Sequence, residues 1–221
     1  IQSAMAGVKR IDAFLAQAER TIPEERESAA RGDIVLSHVT FGYGEKSVLT
    51  DFSMTVKQGE QVTLVGRTGA GKSTVFKLLL GFYPPESGSI TIGGVDVSDI
   101  ADSERRACIG CVEQHFSRVP GTVLDQITLG DARITEEMAK NAARLAGIDA
   151  AIASLPEGYD TVCTDGMFSQ GEWQLLSIAR AAATDPAVLL LDEITANLDA
   201  ETEARVLEAL RRASEGRTVL S

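Results

Sequence analysis

The spacing of apolar residues changes several times along the chain, and the changes predict strands that alternate with helices. Short apolar, β-branched runs predict strands at 34–36, 38–41, 47–56, 61–65, 109–112 and 188–191, and a hairpin over 89–97 that turns at Gly93 and Gly94. Helical spacing covers 75–80, ended by Gly81, and 130–153. Thr135 is a candidate N-cap of that second helix, without a full capping box because Met138 holds the third helical position. This alternation predicts an α/β fold with a mostly parallel sheet.

The first 33 residues differ from the rest of the chain. Apolar residues with spacings of four, three, three and four form one stripe of an amphipathic helix over 1–20: Ile1, Met5, Val8, Ile11 and Leu15. Residues 21–33 are polar and contain Pro23, which indicates a linker. Because no Met or cap precedes the stripe, we expect the helix to continue from an upstream segment. The predicted domain covers 34–221, with a helical lobe at about 115–185.

The stretch 66–74 contains the phosphate-loop pattern G-x-x-x-x-G-K-[ST], which residues 66–73 match without a mismatch. A predicted strand precedes the loop and a predicted helix follows it, so backbone amides and the helix N-terminus would face one anion. Lys72 can reach the β- and γ-phosphates, and the Ser73 hydroxyl can bind Mg²⁺. The alternative is an ordinary glycine-rich turn before a helix. The expected nucleotide contacts are Gly66, Thr68, Gly69, Ala70, Gly71, Lys72, Ser73 and Thr74.

A second informative stretch, residues 188–193, is a continuous apolar run that ends in two carboxylates. Such a run is typical of a central parallel strand, whose C-terminal end faces the nucleotide in phosphate-loop ATPases. Asp192 can hold Mg²⁺, and Glu193 can orient or deprotonate an attacking water. The alternative is a buried strand that leaves the core through two solvated acids. The phosphate loop upstream favours the catalytic interpretation.

Composition narrows the function classes. The net charge of −11 over 221 residues argues against a nucleic-acid partner. No apolar run approaches the ~18 residues of a membrane-spanning helix, so we expect this chain itself not to cross a membrane. Cys108 and Cys111 have the C-x-x-C spacing of a redox or metal pair, but no second pair exists in the sequence. We favour cysteines packed as small apolar side chains.

These motifs, with the segments between them, resemble the nucleotide-binding domain of ABC transporters of the exporter type. The resemblance extends from about residue 34 to the end of the chain. Tyr43 matches the aromatic residue that stacks on adenine, and Gln114 matches the glutamine that contacts Mg²⁺ and water. Residues 121–127 and 155–161 are similar to exporter segments, and 196–199 to the loop that crosses the dimer interface.

The family signature, usually LSGGQ, corresponds to residues 168–172 here. The resemblance implies that Ser169 and Gly171 contact ATP held by an opposite protomer. Ser169 and Glu172 also have the spacing of a capping box, and one capped helix start can serve both roles. Glu172 and Trp173 depart from the family pattern. Glu172 stands where the signature has Gln, and Trp173 replaces a basic residue. Residues 161–167 are shorter than the usual exporter segment.

The resemblance implies a P-loop NTPase core with a mostly parallel sheet, an antiparallel β subdomain and an α-helical signature lobe. The expected cofactors are ATP and Mg²⁺. The catalytic residues would be Lys72, Gln114 and Glu193, and the Mg²⁺ ligands Ser73, Gln114 and Asp192. The expected partners are a second ABC ATPase domain and a fused upstream transmembrane domain, which would place this chain at the cytoplasmic face of a membrane. The family's switch histidine would fall about three residues beyond Ser221, so we expect the chain to be a fragment.

Several functions remain open at this point. The leading hypothesis is the ATP-hydrolysing domain of an ABC exporter. A second is an ATP-binding switch module with a weak site in a heterodimeric transporter, which the altered Glu172 and Trp173 motivate. A third is a soluble ABC ATPase of DNA repair or translation, and a small-molecule kinase is the least favoured because it would leave Tyr43, Gln114 and Ser169 unexplained.

Overall fold

A computed structural model describes residues 31–67, 69–113, 116–192 and 198–221. The predicted helix at 1–20 and nearly all of the linker lie outside these ranges. Within the described ranges, no helix has both the length and the apolar character needed to cross a bilayer.

The strands form two sheets. They are β1 (Ile34–Tyr43), β2 (Lys46–Val56), β3 (Gln61–Val62), β4 (Ser87–Ile92), β5 (Val95–Asp96), β6 (Ile109–Val112), β7 (Val188–Leu191) and β8 (Thr218–Leu220). The first sheet is antiparallel, in the order β2-β1-β4-β5, and the second is parallel, in the order β3-β8-β7-β6. The hairpin predicted over 89–97 is formed by β4 and β5. Both the parallel core and the antiparallel subdomain that were predicted are therefore confirmed.

In the described ranges, every helix lies after the phosphate loop in the sequence. They are α1 (Lys72–Leu79), α2 (Asp102–Cys108), α3 (Val123–Thr128), α4 (Glu136–Ala146), α5 (Asp149–Ala153), α6 (Gln170–Ala182) and α7 (Ala200–Ser214), with a 3₁₀ turn at Gly158–Asp160. As predicted, Thr135 caps α4 by accepting a hydrogen bond from the Met138 amide. The helical signature lobe that the family resemblance implied is present in this part of the chain.

Several predicted element boundaries are wrong: the strands expected at 34–36 and 38–41, for example, form the single strand β1. The strand expected at 61–65 ends at Val62, although the Leu64 amide still donates to the Ser221 carbonyl at 2.6 Å, and Val65 is 89% exposed. The helix expected from residue 75 begins at Lys72, after Gly71 with a φ of +94°. The single helix expected over 130–153 is two helices, because Gly147 ends α4 in the left-handed region with a φ of +75°.

Strand β7 is the centre of the fold because its side chains enter two apolar clusters. Val188 and Leu190 pack in the cluster between the antiparallel sheet and α1. Leu189 points to the other face and packs in the cluster formed by the helical lobe and α7. All three side chains are at most 1% exposed, which confirms the buried central strand predicted from the apolar run.

Two half-buried arginines donate hydrogen bonds to helix α3 of the lobe, Arg106 from α2 and Arg180 from α6. Arg106 donates hydrogen bonds to the carbonyls of Ile127 and Thr128, and Arg180 Nε donates to the Gln126 carbonyl at 2.6 Å. These carbonyls belong to the last turn of α3, where backbone acceptors have no partner within the helix. The lobe is therefore fixed by charge-assisted hydrogen bonds as well as by apolar packing.

Candidate functional site

The phosphate loop lies between β3 and α1, as its sequence pattern predicts. Gly69 and Gly71 have φ values of +83° and +94°, in the left-handed region that favours glycine. A Cβ on Gly71 would lie only 2.9 Å from Leu49 Cδ2, so packing restricts this position too. The Lys72 ammonium donates to the Gly66 carbonyl at 2.9 Å and is thereby held over the loop.

The electrostatics of the loop suit an anion. The first turn of α1 contains no acidic residue to oppose the positive end of the helix dipole. Ser73 is exposed and Thr74 is buried, whereas Thr68 lies outside the described residues. An exposed Ser73 hydroxyl on this first turn is available to a metal ion that accompanies the anion.

Asp192 lies at the C-terminal end of β7, where its amide donates to the Val112 carbonyl at 3.0 Å. A cavity of about 780 Å³ is lined by Asp192, Lys72 and Gly66 together with apolar side chains of β3 and α7. The structure thus brings the phosphate loop and the first predicted acid to one cavity, although they are far apart in sequence. Ser169, Gly171 and Tyr43 are not among the described residues that line it.

Five of the predicted functional positions lie outside the described residues: Thr68, Gln114, Glu193, Ala196 and Asn197. The strands that precede Gln114 and Glu193 are described: β6 and β7 pair in parallel, with Val112 opposite Leu191. Both strands therefore deliver the chain to the same edge of the sheet, which is the edge that carries Asp192.

Tyr43, the expected adenine-stacking residue, is 40% exposed at the end of β1. Its ring meets Phe41 and Tyr83 edge-on, with centroid distances of 5.0 and 5.5 Å. The Lys77 ammonium lies 5.7 Å from the Tyr43 centroid. The contacts of Tyr83 and Lys77 with Tyr43 were not predicted from the sequence. The signal that could have revealed Tyr83 is the aromatic pair directly after Gly81.

The signature segment forms the start of α6. Ser169 is the N-cap: its hydroxyl accepts from the Glu172 amide at 3.3 Å, and its own amide donates to Glu172 Oε2 at 2.8 Å. The predicted capping box is therefore confirmed. This capping box engages one carboxylate oxygen of Glu172, the residue that departs from the family signature.

Gly171 has a packing role that the sequence did not reveal. A Cβ on Gly171 would lie 2.1 Å from Cγ2 of Thr202, so α6 and α7 approach closely only because this position has no side chain. Thr202 is itself fixed, because its amide donates to Asp199 Oδ1 at 3.0 Å. Asp199 caps α7, and its hydrogen bonds with Thr202 lower the pKa of the carboxyl group.

A contact across the lobe joins α6 to the segment that follows Gln114. The Phe116 ring stacks on Trp173, with centroids 5.0 Å apart, and the Arg180 guanidinium lies 3.9 Å from the Phe116 centroid. Burial lowers the pKa of Arg180 to about 10, so the side chain still carries its charge at neutral pH. The sequence signal that could have revealed this contact was Arg180, a charged residue within the mostly apolar run 175–182 and seven positions after Trp173.

The two cysteines of the C-x-x-C spacing are packed in the core, as predicted. Cys108 is fully buried at the end of α2, and Cys111 is partly buried in β6, packed against the same apolar cluster. Burial, with the charges of Glu113 and Asp192, raises the pKa of the Cys111 thiol to about 12. A thiol that stays protonated at neutral pH is a poor nucleophile and a poor metal ligand.

Comparisons with known proteins identify the family. The family model described as ABC transporter matches residues 49–196. The ABC transporter ATP-binding protein YfiC of Bacillus subtilis is 39% identical over 222 residues, which cover 98% of this chain and 37% of that protein. A probable multidrug resistance ABC transporter ATP-binding/permease protein of the same species, YheH, is 40% identical over 88% of this chain and 29% of its own length.

More distant organisms supply similar relatives. The mitochondrial potassium channel ATP-binding subunit of Mus musculus is 43% identical over 86% of this chain and 27% of its own length. The solved structure of a bacterial Atm1-family ABC exporter with ATP bound superposes with a TM-score of 0.81 at 32% identity, over 100% of this chain and 39% of the other. This chain therefore spans between about a quarter and two fifths of the length of these four proteins.

Proposed function

The chain is an ATP-binding domain of the exporter-type ABC transporter family, and we propose that it hydrolyses Mg-ATP to drive transport by a fused membrane domain. The observation that carries this proposal is the convergence of Gly66, Lys72 and Asp192 on one cavity. Phosphoryl transfer requires a loop that binds phosphate and a carboxylate that can hold Mg²⁺ in one site. Residues far apart in this sequence supply both. A fused membrane domain accords with the name of the relative YheH, an ATP-binding/permease protein, and would place this domain at the cytoplasmic face.

Each predicted residue has a role in this proposal. Lys72 and the loop amides bind the β- and γ-phosphates, and Tyr43 stacks on adenine. Ser73, Gln114 and Asp192 hold Mg²⁺, which would neutralise charge on the transferred phosphoryl group. Glu193 orients or deprotonates the water that attacks in line with the bond to the leaving group.

A second copy or a related domain completes the site. Ser169 and Gly171 lie at the N-terminus of α6, away from the cavity that holds Lys72. A capped helix start presents backbone amides that suit an anion. In a head-to-tail dimer, each signature would therefore contact the γ-phosphate bound by the opposite protomer.

Substitution of Glu193 tests hydrolysis directly. In the complete transporter, reconstituted in lipid, Glu193→Gln should lower kcat by roughly 10²–10⁴ and leave ATP binding intact. The variant should also accumulate as an ATP-bound dimer, measured by size-exclusion chromatography with light scattering. Glu137→Gln is the matched control, because it makes the same chemical change on the exposed face of α4. Turnover by Glu193→Gln at the parental rate would contradict the assignment.

The altered signature supports a second candidate, an ATP-binding switch with a weak site in a heterodimeric transporter. A carboxylate at Glu172 near a bound triphosphate would be repulsive, but the capping box engages one of its oxygens. Turnover by the transporter purified as a homodimer separates the candidates. Hydrolysis that Glu193→Gln abolishes favours the first candidate, and tight ATP binding without turnover favours the second.

A further inference from the structure

The Phe116 side chain packs against two residues of one helix. Trp173 stacks on it at an interplanar angle of 24°, and the Arg180 guanidinium lies 3.9 Å from its centroid. Trp173 and Arg180 are seven positions apart on α6, which places them on the same helix face. We call this arrangement of Phe116, Trp173 and Arg180 the α6 clamp.

The α6 clamp is held in place at both ends. The Phe168 ring meets Trp173 edge-on with centroids 5.0 Å apart, and Phe168 is only 6% exposed. At the other end, Arg180 Nη1 donates to the carbonyl of Ser117, the residue next to Phe116, at 2.9 Å. Close-packed groups of this kind transmit a displacement instead of absorbing it.

The clamp joins two segments to which the proposed function gives catalytic roles. Phe116 is two residues after Gln114, and Trp173 is four residues after Ser169. The capping box ties Ser169 to Glu172, which directly precedes Trp173. A change in the position of Phe116 would therefore reach the start of the signature helix through side chains that are already in contact.

We propose that Trp173 is a positioning residue for ATP hydrolysis: through Phe116, it fixes the start of α6, which carries Ser169, relative to the segment that carries Gln114. The inference rests on the proposed function, because only that function gives Gln114 and Ser169 their roles. Trp173 contacts neither nucleotide nor metal in this proposal. Its effect is on the geometry of the groups that do.

Kinetics distinguish positioning from nucleotide binding. In the complete transporter, Trp173→Ala should lower kcat roughly 10- to 100-fold, because small misplacements of catalytic groups slow the chemical step. The KM for ATP should change by less than about threefold, since Lys72 and its loop bind the phosphates. Trp173→Phe, which keeps a ring on Phe116, should restore most of the rate.

The matched control is Tyr159→Phe, in the same lobe. It removes the hydrogen bond that the Tyr159 hydroxyl donates to Asp149 at 2.7 Å and leaves the clamp intact. This variant should turn over ATP at the parental rate. A Trp173→Ala variant that keeps the parental kcat, or that raises only KM, would overturn the proposal, as would a Trp173→Phe variant as slow as Trp173→Ala.

Fluorescence tests the same link without hydrolysis, because Trp173 is the only tryptophan of this 221-residue chain. Mg-ATP should change its emission with the same midpoint as ATP binding measured by calorimetry. Phe116→Leu should remove that change while ATP still binds. Binding without an emission change overturns this inference alone, whereas absence of Mg-ATP binding contradicts the proposed function and this inference with it.

Discussion

Gly171 has two roles, one in the proposed contact with a phosphate and one in the packing of two helices. As a signature residue it would present its amide to a phosphate on the opposite protomer. It also lies where any Cβ would collide with Cγ2 of Thr202, so it permits the close approach of α6 and α7. Loss of function on substitution of Gly171 would therefore not by itself show contact with a nucleotide.

A compensating pair of substitutions separates the two roles of Gly171. Gly171→Ala should lower the free energy of unfolding by about 1–3 kcal/mol, because the added methyl group overpacks the contact. Adding Thr202→Ser removes Cγ2, keeps the hydroxyl group and should restore most of the lost stability. Urea denaturation of the two variants, with Thr202→Ser alone as control, measures both effects. A double variant no more stable than Gly171→Ala would show that the Thr202 methyl group is not the cause.

Helix α6 illustrates an element whose start is specified locally and whose packing is not. Its capping box needs only Ser169, Glu172 and the backbone between them, so four residues specify it. The face that carries Trp173 and Arg180 is fixed by Phe116, more than fifty positions earlier in the chain. The same helix therefore combines a start that the sequence predicted with contacts that it did not.

Two substitutions of Glu172 test the cap. Glu172→Gln should keep the free energy of unfolding within about 0.5 kcal/mol of the parent, because glutamine also closes a capping box. Glu172→Ala should lose about 1 kcal/mol, since it leaves the Ser169 amide without its side-chain acceptor. Chemical denaturation measures both, with Glu137→Ala in the first turn of α4 as control. Equal losses for Gln and Ala would show that charge, not the cap, is what stabilises the helix start.

At the scale of the whole molecule, β7 couples the nucleotide site to the stability of the fold. It packs into both apolar clusters, and Asp192 follows directly at its end. A ligand held by Asp192 and Lys72 would therefore contact the end of the central strand and the helix that packs beneath the antiparallel sheet. Ligand binding to the native state alone must raise its stability.

A thermal shift measures this coupling. At 100 times its Kd, Mg-ATP should stabilise the chain by about 2.7 kcal/mol, which corresponds to a rise in Tm of about 5–10 °C for a domain of this size. Lys72→Ala should remove most of the shift, because it removes the ammonium that is held over the loop by the Gly66 carbonyl. Lys140→Ala, which removes a lysine of α4 in the helical lobe, should keep it. A full shift in the Lys72→Ala variant would mean that ATP binds elsewhere.

The sequence by itself determined the features that depend on neighbouring residues. The phosphate loop, the capping box at Ser169, the N-cap at Thr135 and the apolar strand ending at Asp192 each occupy a few consecutive positions with distinctive residue types. The alternation of strands and helices sufficed for the fold class and the helical lobe, and the family resemblance added the antiparallel subdomain. Two element boundaries nevertheless differ from the predicted ones at single glycines. Helix α1 begins earlier than predicted, directly after Gly71, and Gly147 divides the helix expected over 130–153.

Only the tertiary structure decided which distant residues meet. The convergence of Lys72 and Asp192 on one cavity was expected from the family pattern, but the stacking of Trp173 on Phe116 and the contact of Gly171 with Thr202 were not. Local patterns specify backbone conformation because their hydrogen bonds close within a few residues. Contacts between α6, α7 and residue 116 depend on the packing of whole elements, in which any apolar or small residue of suitable volume can serve, so the sequence pattern does not reveal the partners.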